Sequence, residues 1–168
     1  GVHSPFAFDF ITNVIYEKAA YYAYTELERV GAGQTGPVKK EGRHSRKVNR
    51  LLFRLVNRVQ PQTIIDGGKP GRTSSYLQAA KKTAEYIPLF SRDIAALPPL
   101  SQVDFLYIDS PEDTSFVRHL FEYGVSHVTP HSMIVLHGIH CTAEMKAFWK
   151  KTIADERVGI TFDLYDMG

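Results

Sequence analysis

The feature that most constrains the fold of this chain is the alternation, after Pro61, of short apolar runs with longer amphipathic stretches. The runs cover 63–65, 86–90, 103–109, 133–136 and 158–164. The stretches between them, at about 73–82, 116–121 and 145–153, carry apolar side chains at helical spacing. Strands that alternate with helices predict βαβ crossovers, and hence an α/β fold with a doubly wound, mostly parallel sheet.

Continuous apolar runs in such a sheet are covered on both faces, so their central side chains should be buried. We expect this of Ile64, Ile65, Leu106, Ile108, Ile134 and Leu136.

The part before Pro61 has a helical pattern throughout. Ser4 and Pro5 suit the start of a helix, because serine caps free N–H groups and proline is tolerated at the first helical position. Further helices are predicted at about 19–30 and 45–59, and the glycine-rich segment Gly31–Gly42 between them predicts a mobile loop. We therefore expect an amino-terminal helical extension with its loop over residues 1–44 and a Rossmann-like domain over residues 45–168.

Composition narrows the class of protein. The chain is 43% hydrophobic and 23% charged, which argues against a disordered or collagen-like polypeptide. Cys141 is the single cysteine, so an intrachain disulfide, a zinc ribbon and a CxxC redox pair are excluded. No apolar run approaches the roughly 20 residues that cross a bilayer, so we expect a cytoplasmic protein with no membrane partner.

The ends of the sequence carry an expectation of their own. The chain begins at Gly1 rather than at methionine and stops just after a run that resembles a strand. We expect it to be a piece of a longer gene product, with the Rossmann-like domain truncated at its carboxyl end.

One segment is strongly basic. Residues 34–58 hold eight lysines or arginines against the single acid Glu41, a pattern that could contact a phosphate-rich partner. Few aromatic residues are interleaved for base stacking, so a solvated helix face beside a basic loop is the preferred interpretation, and no nucleic-acid partner is expected.

The positions after the predicted strands are where chemistry is expected. Open α/β sheets bind ligands beyond the carboxyl ends of their strands, at the point where strand order reverses. The segments concerned are 66–71, 90–93, 109–113 and 137–140. The glycine-rich turn after Asp66 lets the backbone approach a ligand closely, although any tight turn would use the same residues.

The run from Leu51 to Val56, continued through Pro61 into Thr63–Gly68, resembles class I S-adenosylmethionine-dependent methyltransferases, in particular a bacterial O-methyltransferase-like group. The stretches 1–6, 103–109, 139–149 and 162–164 are similar to the same group. The resemblance implies a Rossmann-like methyltransferase fold, S-adenosylmethionine as cofactor and O-methylation of a small molecule. It also implies that Asp66, Gly68 and Gly71 hold the methionine part of the cofactor, and that Asp93 is the acid near its adenine.

The chain departs from this family at the cofactor motif. Only Lys69 and Pro70 separate Gly68 from Gly71, one residue fewer than in the family, and Pro70 has no N–H to donate. Residues 83–102 are too few for the family's second and third strands with their helices, so we expect the second strand and its ribose-binding acid to be missing. These losses support an alternative function, a non-catalytic binding or interaction module in which Lys69 folds back and neutralises Asp66.

The O-methyltransferase resemblance also implies a divalent cation that orients the substrate hydroxyl. Asp109 lies where a first carboxylate ligand would be, but His137 and Gly138 replace the acids expected after the next strand. Asp109, His137 and His140 are therefore candidates for catalysis, and could form a two-histidine, one-carboxylate metal set. Histidine pairs at strand ends are more often structural, so we do not expect a divalent metal. The partners that we expect are a small-molecule substrate and, as a homodimer, a second copy of the chain.

Overall fold

The computed structural model describes residues 4–30 and 43–168, which contribute to two compact units. The first unit is assigned Gly1–Gln60 and Gly71–Lys82, and the second Pro61–Pro70 and Thr83–Gly168. The loop predicted over Gly31–Gly42 lies outside the described residues. The domain boundary that we place at residue 44 stays a prediction.

The first unit is helical. Its helices are α1 (Pro5–Phe10), α2 (Tyr22–Val30), α3 (Arg43–Val59) and α4 (Arg72–Ala80), and α1 continues into a π-helix at Ile11–Ile15. The predicted cap is confirmed, because the Ser4 hydroxyl accepts a hydrogen bond from the N–H of Ala7. The start of α2 was predicted three residues too early, at residue 19. Tyr24, Phe53 and Tyr76 form an aromatic cluster in this unit.

Arginines on α3 hold the preceding helical segments. Arg50 pairs with Glu28 at 2.6 Å, and Arg58 pairs with Asp9 at 2.9 Å. Arg54 donates hydrogen bonds to the carbonyl oxygens of residues 14 and 15, at 2.7 and 3.2 Å. Carbonyls at the end of a helix lack partners inside it, so Arg54 supplies donors that the end of the π-helix needs. These three arginines thus bind parts of their own unit.

The second unit contains the sheet. Its strands are β1 (Thr63–Gly67), β2 (Glu85–Pro88), β3 (Phe105–Ile108) and β4 (Met133–Leu136), in the order β2-β1-β3-β4. All three pairings are parallel, which confirms the predicted α/β fold. Helices α5 (Thr114–Val125) and α6 (Ala143–Ile153) contribute to its hydrophobic core.

Two strand predictions need correction. β2 pairs directly with β1. This is the position of the second strand in a doubly wound sheet, so the strand that we expected to be missing is present. The described strands include none beyond β2 on that side. The strand predicted over 158–164 does not form; instead, Met167 makes an isolated antiparallel bridge to His137.

The burial prediction is confirmed for all but one side chain. Ile64, Ile65, Leu106, Ile108 and Leu136 are buried. Ile134 is only half-buried, and it lies in the first half of β4, one of the two edge strands among the four named. In the part of the chain that the structure describes, no helix is long and apolar enough to cross a membrane.

Candidate functional site

The candidate site lies in the second unit, at the carboxyl ends of its strands. The chain runs from β1 outward to β2 on one side and to β3 and β4 on the other, so strand order reverses between β1 and β3. Ligands of open α/β sheets bind in the crevice at such a point. Asp66 lies in β1, Asp109 directly follows β3, and His137 directly follows β4, so the fold places them at one edge of the sheet.

Asp66 is held by its own protein. Its side chain is buried, with the residue 1% exposed, and one carboxylate oxygen accepts a hydrogen bond from the N–H of Gly68 at 2.9 Å. The hydroxyl of Tyr86, in β2, donates to the other oxygen at 2.5 Å. The predicted neutralisation by Lys69 is wrong, because the Lys69 ammonium lies 3.0 Å from Glu112. Asp66 therefore fixes the turn after β1 and ties that turn to the neighbouring strand.

The glycines in and after the end of β1 differ in how much space a side chain would have. A Cβ on Gly68 would lie 3.0 Å from Asp66 and 3.1 Å from the Tyr107 ring, so the close packing there favours glycine. A Cβ on Gly67 would lie only 2.5 Å from Leu120, so this glycine, for which the sequence carries no separate signal, is also required by close packing. At Gly71, just before α4, a Cβ would meet no described atom within 4 Å. The predicted Gly71 position is therefore sterically open.

Asp109 is the centre of a second, half-buried group of side chains. The Tyr107 hydroxyl donates to one oxygen of Asp109 at 3.1 Å, and Nδ1 of His137 lies 3.1 Å from the other. Burial raises the pKa of Tyr107 well above its usual range, and the Asp109 charge adds to this effect. Burial lowers the pKa of His137, but the carboxylates of Asp109 and Asp166 together outweigh it, so the pKa lies above its ordinary value. The nearby carboxylates therefore make the neutral imidazole of His137 a stronger proton acceptor than a free histidine.

Two buried polar atoms at this edge lack hydrogen-bond partners. Nδ1 of His137 is close to Asp109 but off the line of a hydrogen bond, and Oγ of Ser110 accepts from and donates to no described residue. Buried polar atoms are normally paired, so the Ser110 hydroxyl marks a place where a polar ligand or water fits, whereas Nδ1 of His137 faces the Asp109 carboxylate. The turn after His137 favours glycine, because Gly138 has φ +74° and a Cβ there would lie 2.8 Å from Pro111.

His140 is not part of this group. Its Nε2 lies 3.0 Å from Asp163, which also accepts a hydrogen bond from the indole N–H of Trp149. The structure therefore brings together two residues of the proposed metal set, Asp109 and His137, but turns the third toward the carboxyl-terminal segment. Within residues 4–30 and 43–168, no three histidine, cysteine or acidic side chains form a group suited to a metal.

Asp93, the predicted adenine-side acid, is exposed and caps a short 3-10 helix at Ile94–Ala96 by accepting a hydrogen bond from the N–H of Ala95. Its neighbour Arg92 is more engaged, because its guanidinium lies 2.6 Å from Glu112 and 3.2 Å from Asp113. These contacts and the Lys69 ion pair link the loops that follow β1, β2 and β3. The pKa of Glu112 falls to about 2, first through a hydrogen bond with its own backbone and then through Lys69 and Arg92.

Sequence reasoning missed Tyr86 and Tyr107, and it included Arg92 and Glu112 only as members of the segments 90–93 and 109–113. A signal for Tyr107 was present, because residues two apart in a strand share a face and Asp109 is two residues away. Tyr86 could not be found in this way, since it lies 20 residues beyond Asp66 and meets it only through strand pairing.

Comparison with solved structures shows the fold. An O-methyltransferase from Bacillus cereus in complex with SAH is similar over 92% of this chain and 89% of its own, with a TM-score of 0.51 and 15% sequence identity. No family model matches the sequence, and no curated protein matches it. The chain has the class I S-adenosylmethionine-dependent methyltransferase fold.

Proposed function

We propose that the protein transfers a methyl group from S-adenosylmethionine to a hydroxyl oxygen of a small molecule, with His137 as general base. The observation that carries this proposal is the pairing of His137 with Asp109 at the carboxyl edge of the sheet, with Asp109 followed in the chain by Ser110, whose buried hydroxyl has no partner among the described residues. Support for the cofactor comes from the fold and from the resemblance of the Asp66–Gly71 segment to the family's motif.

The residues present fit such a cofactor at the ends of β1 and β3. Gly68 and Lys69 would hold its methionine end, and the buried Ser110 hydroxyl, which has no partner among the described residues, offers a further hydrogen bond. Asp66 would stabilise the turn after β1 and not contact the cofactor directly, because its carboxylate already accepts hydrogen bonds from Gly68 and Tyr86. When bound, S-adenosylmethionine would supply an electrophilic methyl group, with S-adenosylhomocysteine as the leaving group.

Side chains of this protein would accept the proton that the substrate hydroxyl releases. The Asp109 carboxylate favours the tautomer with a proton on Nδ1 of His137, which leaves Nε2 as the proton acceptor. Nε2 takes the proton of the acceptor hydroxyl, and Asp109 stabilises the imidazolium that results. Tyr107 holds Asp109 from the opposite side through its hydroxyl. A base of this kind contributes roughly a hundred- to ten-thousandfold to a rate.

The test is a transfer assay with S-adenosylmethionine labelled in its methyl group and a panel of phenols and aliphatic alcohols. We expect label in at least one product, and a loss of roughly a hundredfold or more in His137→Gln. His119→Gln, on the exposed side of α5, is the matched control and should keep the wild-type rate. Equal rates in the two variants would remove His137 from the mechanism.

A second candidate function, a binding module without catalysis, is favoured by one observation. The Asp66 carboxylate is buried and occupied by protein donors, whereas the resemblance assigns it to the cofactor. In this case the protein would bind S-adenosylhomocysteine without transferring label to any acceptor. The same assay, run beside a binding titration, separates the two functions.

A further inference from the structure

Two cationic side chains converge on one carboxylate oxygen at the carboxyl edge of the sheet. The Lys69 ammonium lies 3.0 Å and the Arg92 guanidinium 2.6 Å from the same atom, Oε1 of Glu112. Lys69 follows β1, Arg92 follows β2 and Glu112 follows β3, and these are three neighbouring strands. The contacts therefore cross the point between β1 and β3 where strand order reverses.

We propose that Lys69 and Arg92 form a subsite for the carboxylate of a ligand, and that the Glu112 side chain occupies this subsite until the ligand displaces it. The identity of the ligand as the amino-acid end of S-adenosylmethionine rests on the proposed function. The anion subsite itself rests on the geometry of the three side chains.

The ion pairs are placed so that they can open. The side chains of Lys69, Glu112 and Arg92 are 66%, 46% and 35% exposed, and exposed ion pairs contribute little to stability. Glu112 precedes α5, but the cap of that helix is Asp113, whose carboxylate accepts a hydrogen bond from the N–H of Phe116 at 3.0 Å. Glu112 can therefore change rotamer without removing the helix cap.

Arg92 is held by more than Glu112. Its backbone has φ +59°, which is uncommon for a residue other than glycine, and its guanidinium lies 5.9 Å from the centre of the Phe116 ring. Asp113 is a further partner at 3.2 Å. These contacts remain when Glu112 leaves, so the guanidinium stays in place for an incoming carboxylate.

An anion, rather than a proton, is needed to release Glu112. Its pKa of about 2 keeps the carboxylate charged at every pH near neutrality. The four side chains Lys69, Arg92, Glu112 and Asp113 together carry no net charge, and a ligand carboxylate that replaces Glu112 restores this balance at the subsite.

The experiment compares wild type with Glu112→Gln, in which Lys69 loses its carboxylate partner. The matched control is Glu122→Gln. Glu122 lies on α5, is also exposed, and forms an ion pair with Arg157 at 3.0 Å. Isothermal titration would use S-adenosylhomocysteine and 5′-methylthioadenosine, which lacks the amino-acid end. We expect Glu112→Gln to bind S-adenosylhomocysteine roughly three- to tenfold more tightly than wild type, with unchanged affinity for 5′-methylthioadenosine and no effect of Glu122→Gln.

Equal tightening of both nucleosides, or no tightening of S-adenosylhomocysteine, would overturn the proposal. If neither wild type nor any variant binds either nucleoside, the proposed function fails. A titration with inorganic phosphate then tests the anion subsite separately. A saturable phosphate-induced shift of the Arg92 side-chain NMR signal, stronger in Glu112→Gln than in wild type and Glu122→Gln, supports the anion subsite. Equal responses in all three proteins would refute it.

Discussion

Replacing Asp66 by alanine should destabilise the protein strongly, in addition to any effect on ligand binding. The substitution removes a buried carboxylate and leaves the Tyr86 hydroxyl and the Gly68 N–H without their acceptor. A buried donor that loses its partner costs about 1–3 kcal/mol, and two of them give a loss of roughly 2–6 kcal/mol. For a chain of this size each kcal/mol corresponds to about 2–4 °C, so we expect the melting temperature to fall by roughly 4–24 °C.

The assay is thermal unfolding followed by circular dichroism, with Tyr86→Phe and the double variant completing a mutant cycle. Tyr86→Phe alone should cost about 1–2 kcal/mol, and the two changes should not add, because they remove the same hydrogen bond. Asp93→Ala is the matched control, since Asp93 also accepts a backbone N–H but is exposed. A fall in melting temperature no larger than that of the control, or strict additivity in the cycle, would refute this account of Asp66.

Two further predictions concern the Asp109 group and the turn after β4. Asp109→Asn should lower the pKa of His137, because it removes the carboxylate charge that raises this pKa. The acidic limb of the pH–rate profile, where His137 loses its proton, should therefore move to lower pH. An unmoved limb would contradict the proposed interaction between Asp109 and His137. The same variant should lose stability mainly below about pH 6.5, because a raised histidine pKa stabilises the fold at low pH and this contribution disappears as pH rises through the folded pKa. Gly138→Ala should lower stability by about 1–3 kcal/mol in urea unfolding, through its positive φ and the approach to Pro111, whereas Gly159→Ala, with open space around it, should change little; equal effects would remove the steric argument.

Much of the fold was predictable because its strongest signals are local. The apolar runs at β1, β3 and β4 are short and dense, and the apolar spacing over α3 is helical, so these elements lie close to their predicted positions. The run at 158–164 has the same local signal but forms no strand. The end of β4 is paired instead with Met167 and Gly168, after Tyr165 takes φ +74°. Which segment pairs with an edge strand depends on the geometry of the folded chain, and the local pattern of apolar residues does not specify that geometry.

The candidate site was predictable in position but not in its contacts. Parallel strands end at one edge, so Asp66, Asp109 and His137 could be placed there from the sequence alone. Their partners follow from three-dimensional packing: Lys69 is three residues from Asp66, yet it reaches Glu112 from the neighbouring strand's loop. The structure adds the contacts of Asp66 with Gly68 and Tyr86, and the cofactor-binding role of Asp66 stays a prediction.

The most direct test of the account is a titration of isotopically labelled protein with S-adenosylhomocysteine, followed by NMR of its backbone amides. The account predicts saturable shifts at Gly68, Lys69 and Ser110, at the carboxyl ends of β1 and β3, with smaller changes on the exposed side of α6. Absence of shifts at millimolar ligand, or shifts confined to residues away from the carboxyl edge of the sheet, would contradict the claim that this edge is a nucleoside-binding site.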